Sequence, residues 1–431
     1  MKRTLFVLFL IFFMFGLVVM HDNKKRADHT ASASNQSGIT TGQSAGSLNS
    51  SGEKRQVSTV EAPKTGFEDI TVESTKDEAA DSGKEGIVDQ ASIDQVMNSS
   101  TGLYCYDTMD ASLHQLYAEL YVVCMQHEEN IRVSTTDSDQ LEYAFKCMYN
   151  DHPEIYWVDG YTYTRHTQGS KILYLTFSGK YTYTANECAQ YNQQINGYLS
   201  RFLGGISMSA SDYDKVKYTY EFLINNTDYV IGSRDNQNIL SVMLYGDSVC
   251  QGYAKSTQYL LSKLGVKSTM VVGVVGNGEG HAWNLVNIDG AYYYVDTTWG
   301  DSSYLGSADG NVNANTVNYN FLNITTDELT KTHSIDNVVP MPYCLETKDN
   351  YYVHEGLYIT GYDETTFRNI FDSARANGKD FVTFKCMDAN VYSEVYNRLI
   401  GDQEIFNYLS GGSDNVSYVN SDDTYVFTFW L

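Results

Sequence analysis

Apolar positions along the chain fall into blocks whose spacing changes from one region to the next. Leu5 to Met20 is an almost unbroken apolar run with Lys2 and Arg3 before it and Lys24, Lys25 and Arg26 after it. Residues 1–26 therefore read as a targeting segment. Its sixteen residues rise about 24 Å as a helix, near the lower limit for spanning a bilayer. No lipobox cysteine follows and no good small-x-small cleavage site is present, so a signal peptide and a retained signal anchor both fit. Either one delivers the folded part outside the membrane. Over 27–100 the pattern disappears: Ser, Thr, Gly, Asn and charged residues dominate, and Phe67 is the sole aromatic residue. Such a composition cannot bury enough apolar surface to offset the entropy of ordering, which predicts a disordered linker with the folded part starting near Tyr104.

Helical spacing begins at Leu113, Leu116, Tyr117, Leu120 and Cys124, which share one face. A second helix is predicted over 137–150, stopped by His152-Pro153, with strands over 154–164 and 171–184. Together these make a small N-terminal α/β domain, 101–205. In the next region, 206–344, a helix over 211–225 turns Tyr213, Val216, Tyr220 and Leu223 inward. Another, over about 249–264, carries Ala254, Thr257, Leu261 and Leu264 on one side and stops at Gly265. Three β-rich runs follow at 266–275, 281–288 and 291–297. The tail, 345–431, reads strand (351–360), helix (365–377), strand (381–387), helix (391–409), strand (417–431), a C-terminal α/β domain. The expected class is α+β, with a helix packed on an antiparallel sheet between two small α/β domains.

Charge narrows the function classes. The 431-residue chain has 29 Lys and Arg against 53 Asp and Glu, a net charge of -24. A surface of that sign repels phosphates, so no nucleic acid partner is expected. Seven cysteines, Cys105, Cys124, Cys147, Cys188, Cys250, Cys344 and Cys386, leave an odd thiol in an exported chain. If Cys250 is the odd one, the other six either pair as three disulfides or serve as small buried hydrophobes.

Chemistry concentrates around three positions. Cys250 stands where the second central helix starts, and the unpaired N–H groups and positive dipole end there favour thiolate, the nucleophilic form. His281 follows the flexible run Gly276-Asn277-Gly278-Glu279-Gly280 at the edge of a β-rich segment. Asp289-Gly290, between two such segments, is a strong signal for a two-residue hairpin. If Ile288 pairs with Ala291, Trp283 falls opposite Asp296 and His281 opposite Thr298. All four then share a face, with Asp296 diagonal to His281; a slip of one residue would separate them. Taken singly, each residue has an ordinary structural explanation. Taken together, a thiol, an imidazole to accept its proton and a carboxylate to orient that imidazole make a catalytic triad. Trp283 and Trp299 are candidates for substrate contact.

The blocks GDSVCQGYAKSTQYLLSKLG, GHAWNLVNIDGAYYYVDTTWGD and SDYDKVKYTYEFL resemble the catalytic core of bacterial transglutaminase-like proteins, a fold related to papain-like proteases. The resemblance covers about 206–325. It implies Cys250 as nucleophile, His281 as general base and acid, and Asp296 as orienting carboxylate. Flanking stretches NDHPEIYWV and NYYVHEGLY are similar to those of exported bacterial members. For the oxyanion, the Cys250 backbone N–H is the first donor and Gln237 the side-chain candidate. Animal transglutaminases use an upstream tryptophan, and none stands between Trp157 and Cys250 here.

No metal site is expected. Asp309, Asn311 and Asn313 begin a calcium-loop spacing, but Ala314 stands where the loop needs glycine. Cys124-x-x-His127 is half a zinc motif without its second half. No cofactor is implied. The expected function is extracytoplasmic acyl transfer on peptide or protein amides, as protease, amidase or transglutaminase, with a cell-wall or surface protein as the substrate class. The N-terminal segment would meet the membrane if retained. The competing expectation is a non-catalytic surface binding module with a relic core.

Overall fold

The central helix and sheet form as the spacing predicts, and the computed structural model shows how their residues meet. It describes residues 43–49, 54–57, 71–79, 86–168, 171–276, 278–301, 317–409 and 415–431. The central sheet has four antiparallel strands in the order Ala291–Val295, Glu279–Ile288, Ser268–Val275, His333–Ile335. The Asp289-Gly290 turn forms with both residues at positive φ, 50° and 91°, the backbone a tight hairpin of this kind demands. Ile288 pairs with Ala291 and the register runs on to Asn284 opposite Val295.

There the strand ends. Asp296 leaves the ladder to cap the short helix Thr297–Gly300, accepting the Trp299 N–H. Thr298 is thus helical rather than opposite His281, which corrects that part of the hairpin count. An aspartate can hold a helix start and a histidine at once, and the cap ends the strand.

Helix Cys250–Lys263 lies against this sheet. Ala254 and Ala282 pack together with Met270, and their small side chains let helix and strand approach closely. The Asn284 amide donates to the Ala254 carbonyl at 2.9 Å, and Thr257 bonds Thr297 at 2.9 Å. The helix is therefore tied to the strand that carries His281 and to the short helix that Asp296 caps. Its other sides are covered too: Cys250 through Leu261 are all buried. Gly252 is required for this packing, since a Cβ there would lie 2.0 Å from Ser248 Oγ and 2.8 Å from the Asn236 carbonyl oxygen.

Helix Asp212–Ile224, capped by Ser211, covers the sheet with Tyr213, Val216 and Tyr220 inward. In the N-terminal region, helices His114–Gln126 and Ser138–Asp151 pack on the hairpin of Val158–Gln168 and Lys171–Tyr181. Several elements there differ from expectation. Helix Gln90–Ser100 lies within the stretch expected to be linker; its polar composition conceals Ile93 and Val96, which share one buried face. Backbone strands Gln43–Asn49 and Thr71–Ala79 also fall in that stretch and pair with Asn415–Ser421 and Val158–Gln168. Helix Ala185–Leu203 was not among the expected elements, although its Thr184-x-x-Glu187 capping box is a sequence signal.

In the C-terminal region, the expected strand over 351–360 is a helical turn, Tyr351–His354, capped by Asn350, followed by strand Tyr358–Ile359. The run 417–431 is a hairpin, Asn415–Ser421 with Val426–Trp430, rather than one strand. The helix over 391–409 breaks into Ala389–Tyr396 and two shorter turns around Gly401. All seven cysteines are free and buried, so none forms a disulfide. Among the described residues no helix is long and apolar enough to cross a membrane. The targeting segment, 1–26, lies outside the described residues.

Candidate active site

Cys250 is the first residue of its helix and is 2 % exposed. Val249 precedes it as N-cap without a side-chain cap bond, so the thiol sits at an uncapped, positively polarised helix start. The His281 ring, on the neighbouring strand, lies close enough to Cys250 for the two groups to interact. On its other side, His281 Nε2 lies 2.8 Å from Asp296 Oδ2. The three predicted residues are thus brought together, with Asp296 on Nε2 of His281 and the second ring nitrogen left to serve the thiol.

Burial opposes protonation of His281, but the Asp296 carboxylate and the neighbouring Cys250 outweigh it and push its pKa up to about 10. Burial likewise opposes ionisation of Asp296. The two histidines beside it prevail and hold the carboxyl well below its usual range. An imidazolium and a carboxylate are the stable pair here.

A residue that sequence reasoning missed completes the site. His333, on the edge strand His333–Ile335, donates from Nε2 to the same Asp296 Oδ2 at 3.1 Å. Its Nδ1 lies 2.7 Å from the Thr332 hydroxyl. No local motif surrounds His333, and it comes to the site only because its strand pairs with Ser268–Val275 at Val275. His281, Asp296 and His333 have donor atoms within 4.8 Å of one another, the spacing a metal ion would need. Those atoms are already joined by the two hydrogen bonds, which explain the cluster. The calcium-like spacing at Asp309 lies outside the described residues. Cys124 and His127 have structural partners: the Cys124 carbonyl accepts the Trp157 indole N–H, and the His127 ring stacks on Trp157.

Gln237 sits against the first turn of the cysteine helix, its backbone carbonyl accepting the Gln251 amide at 3.2 Å. The side-chain oxygens of both glutamines are buried and unpartnered. Trp299 is half-buried, its ring 6.0 Å from that of His281 and 4.7 Å from that of His333. Trp283 must be reassigned. It is 0 % exposed, packed among Val271, Leu285, Tyr294 and Phe321, and supports the rings of His281 and His333 from behind. With no accessible surface and its ring packed against the two imidazoles, it is placed as their support rather than as a substrate contact.

Residues 201–297 match the model of the transglutaminase-like superfamily. No curated protein matches the chain. Among solved structures, similarity is found to a TGase, at 16 % identity and TM-score 0.24, over 36 % of this chain and 46 % of that one. A protein from Cytophaga hutchinsonii, provisionally described as a cysteine protease, gives 17 % and 0.22 over 29 % and 52 %. Another from Parabacteroides distasonis, provisionally a protease, gives 14 % and 0.20 over 30 % and 29 %. The chain spans about half or less of the length of each, and likenesses of this size carry no argument. The family match carries it, and within its limits stand Cys250, His281 and Asp296: residues 201–297 are a domain of the transglutaminase-like superfamily.

Proposed function

We propose that the protein catalyses thiol-dependent acyl transfer on peptide or protein amides outside the cytoplasm, with Cys250 as nucleophile, His281 as base and acid, and Asp296 as orienting group. The observation that carries this reading is the meeting of Cys250, at an uncapped helix start, with His281, whose Nε2 is hydrogen-bonded to Asp296. With the Cys250 proton already held by His281, whose imidazolium Asp296 favours, the sulfur bonds to the amide carbonyl carbon and the C=O electron pair moves onto the oxygen. The C–N bond then breaks, and His281 returns that proton to the leaving amine. The resulting thioester is cleaved by water, giving hydrolysis, or by an amine, giving transamidation, and the thiol is restored. The backbone N–H of Cys250 and the amide of Gln237 are the proposed oxyanion donors, and Trp299 the proposed substrate contact. The apolar run 5–20 supports an extracytoplasmic site and a wall or surface protein as substrate.

One observation favours a second reading. Cys250 and His281 are only 2 % and 5 % exposed, as a relic core in a surface binding module would allow. Incubating a mixed peptide library with the protein and with Cys250→Ser, then weighing products, separates the two. Cleaved or crosslinked peptides made only by the parent protein, with a mass adduct on Cys250, are expected. Identical product spectra from both would overturn catalysis.

A further inference from the structure

We propose that His333 is a positioning residue for this reaction, acting through Asp296 as a second imidazole that holds the carboxylate in register with His281. The proposal deepens the triad reading and rests on it. The geometry is that of a clamp. Asp296 Oδ1 accepts the Trp299 N–H at 3.0 Å, and Oδ2 accepts from His281 at 2.8 Å and from His333 at 3.1 Å. Both carboxylate oxygens are thereby held, and the side chain has no free rotamer to explore. The Asp296 carboxylate can only accept, so the His333 proton facing it sits on Nε2; the Thr332 hydroxyl, 2.7 Å from Nδ1 and 3.4 Å from its other acceptor, the Leu329 carbonyl oxygen, supports that tautomer when it donates to Nδ1.

The fold invests in bringing this strand close. Gly273 lies where the His333 strand pairs, and a Cβ there would stand 2.0 Å from the Ser334 carbonyl oxygen and 2.8 Å from the Trp283 ring. The titratable groups facing His333 are Asp296, at the end of strand Ala291–Val295, and His281, on Glu279–Ile288; its other neighbours are the rings of Trp283, Trp299 and Phe321. Burial lowers the His333 pKa despite Asp296, which keeps the ring neutral and able to donate one N–H rather than compete as a second cation.

The test uses the full chain and reads alkylation of Cys250 by iodoacetamide against pH, followed at the Cys250 peptide by mass. His333→Leu fills the space without a donor, His333→Gln restores an N–H near Nε2, and Thr332→Val removes the hydroxyl that supports the tautomer while leaving the ring. His333→Leu is expected to slow alkylation at pH 6 roughly tenfold, the equivalent of one pKa unit, with rates converging by pH 10. His333→Gln should recover to within about threefold of the parent, and Thr332→Val should fall between. A packing role alone would not distinguish Leu from Gln in this pH-dependent way. Leu, Gln and parent profiles that superimpose would overturn the proposal while leaving the triad standing. A parent protein whose Cys250 reacts only at high pH, unaffected by His281→Ala, or does not react at all, would overturn the triad reading itself. If Leu does not fold, Gln and Thr332→Val carry the decision: Thr332→Val matching the parent at pH 6 would count against the clamp.

Discussion

Asp296 serves a helix and two imidazoles with one carboxylate, so its replacement separates those roles. Asp296→Asn keeps a capping oxygen for Trp299 but offers His281 an amide where it needs an acceptor of full charge. Activity on any peptide the library yields should fall about 10³- to 10⁴-fold in kcat, with the fold itself retained. Its alkaline limb should move from near 10 toward the ordinary histidine range. The same shift has a stability consequence. The folded pKa of His281 lies above its unfolded value, so its contribution is full below about 6.5 and is lost as pH rises through about 10. Denaturation of parent and Asp296→Asn between pH 6 and 10 should show the parent's advantage declining. At this scale Cys250, His281 and Asp296 were legible because each has a local signal: a helix start, a glycine run, a countable hairpin. His333, 37 residues beyond Asp296, has none.

Helix Cys250–Lys263 and the sheet set how closely the reacting groups approach, and that closeness depends on small residues. Gly252→Ala would drive a methyl into Ser248 and the Asn236 carbonyl, displacing either the first helical turn or the 236–237 loop that carries Gln237. A loss of roughly 1–3 kcal/mol in unfolding free energy is expected, with slower Cys250 alkylation at every pH. Unchanged rates and midpoint would show that the loop is not held against the helix. The Asp289-Gly290 turn forms as its spacing suggests, and Ser211 and Asp137, read as the first residues of their helices, stand one position before them as caps. What could not be read was the break after Val295 or the loss of strand at 351–354, where capping by Asp296 and Asn350 competes successfully with β-rich composition.

Across the whole molecule, the N-terminal region and helix Cys250–Lys263 share one core, and a buried charge marks their contact. Lys255 is buried beside Tyr149, its Nζ 3.7 Å from the ring centroid, and burial pushes its pKa down to about 7. Gln258 and Met270 also bond Asn150 across this contact. Between about pH 7 and 10.5 the unfolded chain binds a proton that the folded one does not, so the cost of burying Lys255 is full below 7 and is relieved as pH rises. Lys255→Met should therefore stabilise the protein by about 1–4 kcal/mol at pH 7, with the gain shrinking toward pH 10. A gain independent of pH would mean that packing, not charge, limits this contact.

By itself the sequence determined the α+β core, the hairpin register and the three residues that carry the proposed chemistry, because these depend on periodicity, turn chemistry and caps within a few residues. Tertiary structure alone decided that Trp283 is core rather than surface, that Asp296 leaves its strand, that Gly252 and Gly273 admit close approach, and that a distant strand delivers His333. Those outcomes turn on which faces are covered and which strands become neighbours, and burial by remote chain leaves no periodic trace in the residues it covers.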